Sequence, residues 1–296
     1  MLNPSEQIPL KSLGLDAAQV LRGGARGIVA AIFRQSLYAR FGRDWICFGD
    51  IAIGNGPLNA LVPSMSFAHW RDRVAMADSI QITDIGNGGA WHVRTHDAKI
   101  WRAPACRPTS SQRIRSRLEE LRRRLPAVVP DEGLACFIWR PASPRSAVAQ
   151  AAVPCVQALA DWIAVPGRGE PRGLPEALAR LIGLGPGLTP SGDDFLAGAL
   201  ATLHRLGRHE EADALWRLIE PLTPERTHPI SISHLRAAAR GGLSEALHAI
   251  LHTLAGDGDW PQLDCWPNLG HSSSWDALAG VATVLRASVS ALERER

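Results

Sequence analysis

Apolar and polar positions change rhythm along the chain. Residues 10–21 carry apolar side chains at mixed spacing. Gly23, Gly24 and Gly27 then break the chain before the apolar run 28–33, which fits a strand or a buried helix equally well. From 45 to 53 the pattern is that of a strand. It ends at Asn55-Gly56-Pro57, where Asn-Gly favours a turn and Pro57 bars the next residues from a central ladder. Residues 79–83, 91–95 and 98–102 alternate as half-buried strands do, and 134–139 reads as a last strand between Gly133 and Pro141.

Helical spacing governs the rest. Residues 109–125 predict an arginine-rich helix with Ile114, Leu118, Leu121 and Leu125 on one stripe. Residues 146–164 predict an alanine-rich helix that Pro154 kinks or splits. Further helices are expected over 175–182, 195–206, 210–219, 233–240, 244–254 and 274–285, several with Ser or Thr at the start. The expected class is α+β: a β-rich N-terminal half over 1–141, with most strands between 45 and 140, and an all-helical C-terminal half over 142–296.

The helix after Pro190 is introduced by an unusual loop, Gly183-Leu-Gly-Pro-Gly-Leu-Thr-Pro-Ser-Gly-Asp-Asp-Phe-Leu-Ala-Gly198. Gly185 and Gly187 flank Pro186 and force a tight turn. Ser191 and Asp194 stand at capping-box spacing, so the loop is expected to present free backbone N–H groups at a helix N-terminus. Two carboxylates in the first turn, Asp193 and Asp194, would repel a bare phosphate. That leaves three readings: one aspartate holds Mg²⁺ (Asp193 is the candidate), a carboxylate accepts from an amide or ureido group, or both merely stabilise the helix by ~0.3–1 kcal/mol each. If capping occupies Asp194, Asp193 lies about 100° round the axis and points to the cleft.

This loop resembles the signature of a bacterial family tied to a subunit of the oxamate carbamoyltransferase of anaerobic allantoin breakdown. Arg226-Thr227 with Ser231 and Ser233, Ala239-Arg240-Gly241, and Gly270-His271-Ser272-Ser273-Ser274-Trp275-Asp276 look familial too, although glycine is commoner than Ser274 there. The resemblance is strong over 183–200 and weak over most of the chain. It implies phosphorolysis of oxalurate to oxamate and carbamoyl phosphate. It also implies a hetero-oligomer with two other subunits, one of them resembling acyl-CoA synthetases.

Ser191-Gly-Asp-Asp-Phe-Leu-Ala-Gly198 aligns with Ser273-Ser-Trp-Asp-Ala-Leu-Ala-Gly280. A glycine inside a helix costs about 1 kcal/mol relative to alanine, so Gly198 and Gly280 mark a close helix crossing that brings both loops to one cleft. The candidate catalytic residues there are Asp193, Asp194 and His271. Candidate substrate contacts are Gly185, Gly187, Thr189, Ser191, Gly192, Arg226, Ser272, Ser273 and Asp276, with Asn55 on the β-rich half as a separate candidate. His271 as a plain loop hydrogen-bonder is equally compatible with the sequence.

Composition trims the alternatives. Net charge is +3, Lys11 and Lys99 are the only lysines, and the arginines of 109–125 are interrupted by Glu119 and Glu120 without interleaved aromatics. Nucleic acid is not expected as a partner, and lysine chemistry is scarce. No P-loop or G-x-S-x-G elbow is present. His92 and His96 are expected as a surface pair, not a metal site. Five cysteines without C-x-x-C, no signal-peptide pattern and no membrane-length apolar run lead to the expectation of a soluble, reduced, cytoplasmic protein. Two functional alternatives stay open beside the carbamoyltransferase subunit: a stand-alone Mg-dependent hydrolase or transferase of amides or ureides, and a non-catalytic scaffold that binds a metabolite.

Overall fold

In a computed structural model, described over residues 7–83, 90–105, 110–125, 130–139, 144–165, 175–256, 258–260 and 272–294, the chain divides into two compact units, Met1–Ala103 and Pro104–Arg296. The first holds a nine-stranded sheet built from β1 (Gln7–Pro9), β2 (Ser12–Gly14), β3 (Arg26–Ile32), β4 (Ser36–Phe41), β5 (Asp44–Asp50), β6 (Asn59–Val62), β7 (Ser79–Ile82), β8 (Trp91–Arg94) and β9 (Lys99–Trp101). Their order is β1-β8-β7-β3-β4-β5-β6-β2-β9. Helices α1 (Leu15–Val20) and α2 (Ser64–Arg71) complete this unit, and Trp70 of α2 packs edge-on against Phe48 of β5 with ring centres 5.5 Å apart.

The β character of this half is as the patterns predict, but four strands precede residue 44. Run 28–33 is one of them: β3 pairs antiparallel with both β4 and β7, and Val29 is buried while its neighbours are not. Asn55-Gly56 does not close a hairpin. The chain turns through a short 3₁₀ segment, Ile51–Ile53, and β6 returns parallel to β5. His92 is not a surface residue either. Strand β8 runs between β1 and β7, which buries His92 at 2% exposure and leaves His96 outside beside Asp97.

The second unit holds α3 (Ser111–Arg124), α4 (Ala147–Ala164), α5 (Ser191–Arg205), α6 (His209–Ile219), α7 (Thr223–Arg226), α8 (Pro229–Ala238), α9 (Glu245–Ala255) and α10 (Ser273–Arg294). No strand occurs among its described residues. Helices α5 and α10 form its centre; Phe195, Leu196, Ala199, Leu200, Leu278, Val281 and Ala282 are all fully buried. Helix α4 runs unbroken through Pro154, capped by Ser146, whose hydroxyl accepts from the Ala149 N–H at 3.1 Å. By length and composition alone α4 could cross a membrane, contrary to the sequence expectation; its Ala149, Ala152, Cys155, Leu159 and Ile163 are buried in the helical core.

Two segments depart from their predicted form. The expected helix over 175–182 is a 3₁₀ turn, Glu176–Leu181. The expected strand over 134–139 is a 3₁₀ turn, Ala135–Ile138, because its polar groups are claimed by α10 and not by a ladder. The Leu134 N–H donates to Asp276, and the carbonyls of Phe137 and Ile138 accept from Arg286.

Candidate functional site

Helices α5 and α10 cross at two glycines. A Cβ on Gly198 would stand 1.9 Å from the Ala277 carbonyl oxygen, and one on Gly280 would stand 2.0 Å from that of Phe195. Only residues without a side chain allow backbones this close. The crossing sets the helix starts side by side, and the Thr189 and Ser273 hydroxyls share a hydrogen bond at 2.8 Å. The repeated Ser-x-x-Asp and Leu-Ala-Gly segments are thus spatial neighbours, as their sequence match predicts.

The structural part that the spacing assigns to Asp194 falls to Asp193. Helix α5 starts at Ser191 with Pro190 as its cap residue, and no side chain caps it. Asp193, 1% exposed, is the one bound into the fold. Its Oδ1 accepts from the Gly183 N–H at 2.9 Å, and its Oδ2 accepts from the Ser231 hydroxyl at 2.6 Å and from the Thr227 hydroxyl. One carboxylate therefore pins the glycine loop, the end of α7 and the start of α8. Burial pushes its pKa up, and the Ser231, Thr227 and Gly183 hydrogen bonds oppose that rise.

Asp194 is half-buried, but its Oδ2 is shut off from water and has no hydrogen-bond partner among the described residues. Burial raises its pKa well above the ordinary 3.8. The nearby Ser273 and Thr189 hydroxyls favour ionisation, while the charges of Asp276 and Asp193 oppose it. Asp276, fully buried in the first turn of α10, accepts from the Leu134 N–H through Oδ1 at 2.5 Å. Its Oδ2 is likewise buried without a partner. Burial pushes its pKa up to about 6 despite the Leu134 N–H, the nearby Ser191 hydroxyl and the Ala135 N–H. Gly133, at φ 76°, leaves room for this carboxyl, since a Cβ there would lie 2.6 Å from Asp276 Oδ1 and 2.9 Å from Ser191 Oγ.

The expected row of free N–H groups is not what α5 offers. Gly192 N–H donates to Leu184 O at 2.8 Å, and the N–H groups of Asp193 and Asp194 both donate to Pro190 O. The polar side chains gathered at the two helix starts are the Asp194 and Asp276 carboxyls and the hydroxyls of Thr189, Ser191 and Ser273, with Asp276 and Ser191 buried. Gly185 and Gly187 shape the loop at φ 109° and 96°, and Gly187 is exposed with open space beside it. Ser272 leads into α10 and accepts the Asp276 N–H through its carbonyl. Arg226 is exposed and uses one N–H on the Ala179 carbonyl at 2.9 Å. Asn55, in the first unit, accepts from the Ser12 hydroxyl. His271 lies outside the described residues.

A metal does not fit Asp193. Its oxygens face an N–H and two hydroxyls that donate to them, where a Mg²⁺ site offers oxygen lone pairs and water. Among the described residues no group of three His, Cys, Asp or Glu side chains is placed to hold a metal.

Sequence reasoning missed Gly133 and the Leu134 N–H, which close the site from a segment read as a strand. Thr227 and Ser231 were visible only as familial fragments, with nothing to connect them to Asp193.

The family model described as oxamate carbamoyltransferase subunit AllH matches residues 181–285, a span that contains the glycine loop, Thr227, Ser231 and Asp276. The resemblance read from the signature is therefore shown over this region, and the family's name is that of one subunit of a carbamoyltransferase. No curated protein and no solved structure matches the chain.

Proposed function

We propose that this chain is the subunit of an oxamate carbamoyltransferase that holds the carbamoyl donor, with the paired starts of α5 and α10 as the site. The reaction is that of oxalurate with phosphate to give oxamate and carbamoyl phosphate, carried out in a complex with two other subunits, one resembling acyl-CoA synthetases. The observation that carries this reading is the pair of carboxyls, Asp194 and Asp276, whose buried Oδ2 atoms have no hydrogen-bond partner among the described residues. An unmet buried polar atom costs on the order of 1–3 kcal/mol, which a ligand that completes its hydrogen bonding returns as affinity.

The chemistry suits protonated carboxyls. A phosphate oxygen attacks the ureido carbon, the carbon–nitrogen bond to the oxamate half breaks, and the departing nitrogen must gain a proton, since an amide anion is a poor leaving group. Asp194, whose proton burial holds more tightly, is the proton donor, and the proton lost by the attacking hydrogen phosphate restores it. Below about pH 6 Asp276 is neutral and donates to the oxalurate carboxylate or to phosphate, while the Thr189, Ser191 and Ser273 hydroxyls orient the ureido group. The two helix starts add favourable potential for an anion without using their N–H groups.

Purifying the complex from a native host and measuring carbamoyl phosphate formation with and without this chain tests the proposal. Activity is expected only when the chain is present. Full activity of the other subunits alone, or activity of this chain alone that depends on Mg²⁺, contradicts it.

A further inference from the structure

A cavity lies toward the C-terminal end of α10, away from the carboxyl pair. It has a volume of about 370 Å³, within the range of small-molecule pockets. Helical spacing builds it from two stripes that face each other. Arg115, Glu119 and Arg122 fall on one side of α3 beside half-buried Leu118 and buried Leu121, and Arg286, Val289 and Ser290 fall on one side of α10. The 3₁₀ turn supplies Ile138, and Trp139 follows it. Arg286 is fixed in place by the Phe137 carbonyl, which accepts from Nη2 at 2.6 Å, and by the Ile138 carbonyl. Residues 286–290 lie ten to fourteen positions beyond Asp276, roughly 15–21 Å along the helix, so this is a separate site.

Its lining has two parts of different chemistry. Leu118, Leu121, Ile138, Val289 and Trp139 give an apolar floor, and among the described lining residues three arginines stand with one carboxylate, Glu119. Arg115, Glu119 and Arg122 are exposed, so the charged side is the mouth. Among the described lining residues arginines outnumber carboxylates, which suits an anion, and guanidinium forks match phosphate oxygens. A flat ring suits the indole and the aliphatic floor. We propose that this cavity between α3, the 3₁₀ turn and α10 binds a small phosphomonoester carrying an aromatic or heteroaromatic ring, of the size of a nucleoside monophosphate.

Isothermal titration of the full chain with AMP tests it, with adenosine and inorganic phosphate as separate arms. AMP is expected to bind at least tenfold more tightly than either fragment. Arg115→Glu with Arg122→Glu, both at exposed positions, should weaken AMP at least tenfold and leave adenosine unchanged. Ser290→Glu, which places a negative charge in the cavity from the opposite wall, should do the same and serves if the double variant does not fold. Absence of AMP binding at millimolar concentration overturns the proposal. Affinity unchanged in the variants, or phosphate or adenosine binding as tightly as AMP, overturns it as well.

Discussion

The carbonyl oxygen of Ala277 occupies the place where any side chain at residue 198 would begin, 1.9 Å from the Cβ position of Gly198. An alanine in a helix interior ordinarily gains about 1 kcal/mol over glycine. Here it must push two central helices apart, so Gly198→Ala should destabilise by about 1–3 kcal/mol despite its better propensity. Gly280→Ala should behave alike. Gly23→Ala, where a Cβ meets nothing within 4 Å, should leave the melting temperature nearly unchanged. Thermal unfolding of the three variants checks this, and a stabilised Gly198→Ala would sink the close crossing.

Asp193 and Asp194 should separate cleanly by mutation. Asp193→Ala strands the Gly183 N–H and the Thr227 and Ser231 hydroxyls in the interior, a loss of about 3 kcal/mol or more. For a chain of this size that is a fall in melting temperature of roughly 5–10 °C. Asp194→Asn removes a carboxyl whose Oδ2 serves no partner in the fold, so stability should hold or rise slightly while turnover in the complex is lost. Calorimetry paired with the carbamoyl phosphate assay distinguishes the two outcomes.

Stability should also report on Asp276. Its folded pKa of about 6 lies above the ordinary 3.8, so the folded state holds the proton more tightly than the unfolded one. The contribution is fully present below about pH 4 and is lost as pH rises through 6. At about 1.4 kcal/mol for each pH unit separating the two values, ionising this carboxyl costs roughly 3 kcal/mol. Asp193 and Asp194 are raised too and act in the same direction. Denaturant unfolding from pH 4 to 7 should show a decline that Asp276→Asn flattens; an unchanged slope in that variant argues against a protonated, buried Asp276.

The part of this architecture legible in the sequence is the part set by local repetition. Ser191-x-x-Asp194 and Ser273-x-x-Asp276, each followed by Leu-Ala-Gly, announced the helix pair, its glycine crossing and the neighbouring loops. What each aspartate does was not legible, because capping-box spacing is a local rule and the groups that claim Asp193 lie 10, 34 and 38 residues away. The 3₁₀ turn at 135–138 was hidden for the same reason. Its apolar run has a strand's pattern, but Asp276 and Arg286 of α10 take its polar groups. His92 was misplaced because alternation does not tell which face of a strand a second layer covers.

Ser273→Ala should lower ligand affinity about tenfold with a stability loss under about 1 kcal/mol, since its hydroxyl bridges to Thr189 and both residues are half-buried. Titration with oxamate in the assembled complex, beside a melting curve, measures both. A large stability loss with unchanged affinity would make the bridge purely structural.

The most direct measurement is the initial rate of carbamoyl phosphate formation from oxalurate and phosphate by the complex reconstituted with Asp194→Asn. If the carboxyl supplies the proton to the departing nitrogen, the variant assembles normally, melts at or above the wild-type temperature and loses at least a hundredfold in rate. A variant complex that turns over at the wild-type rate would place the chemistry elsewhere and leave the paired helix starts as architecture.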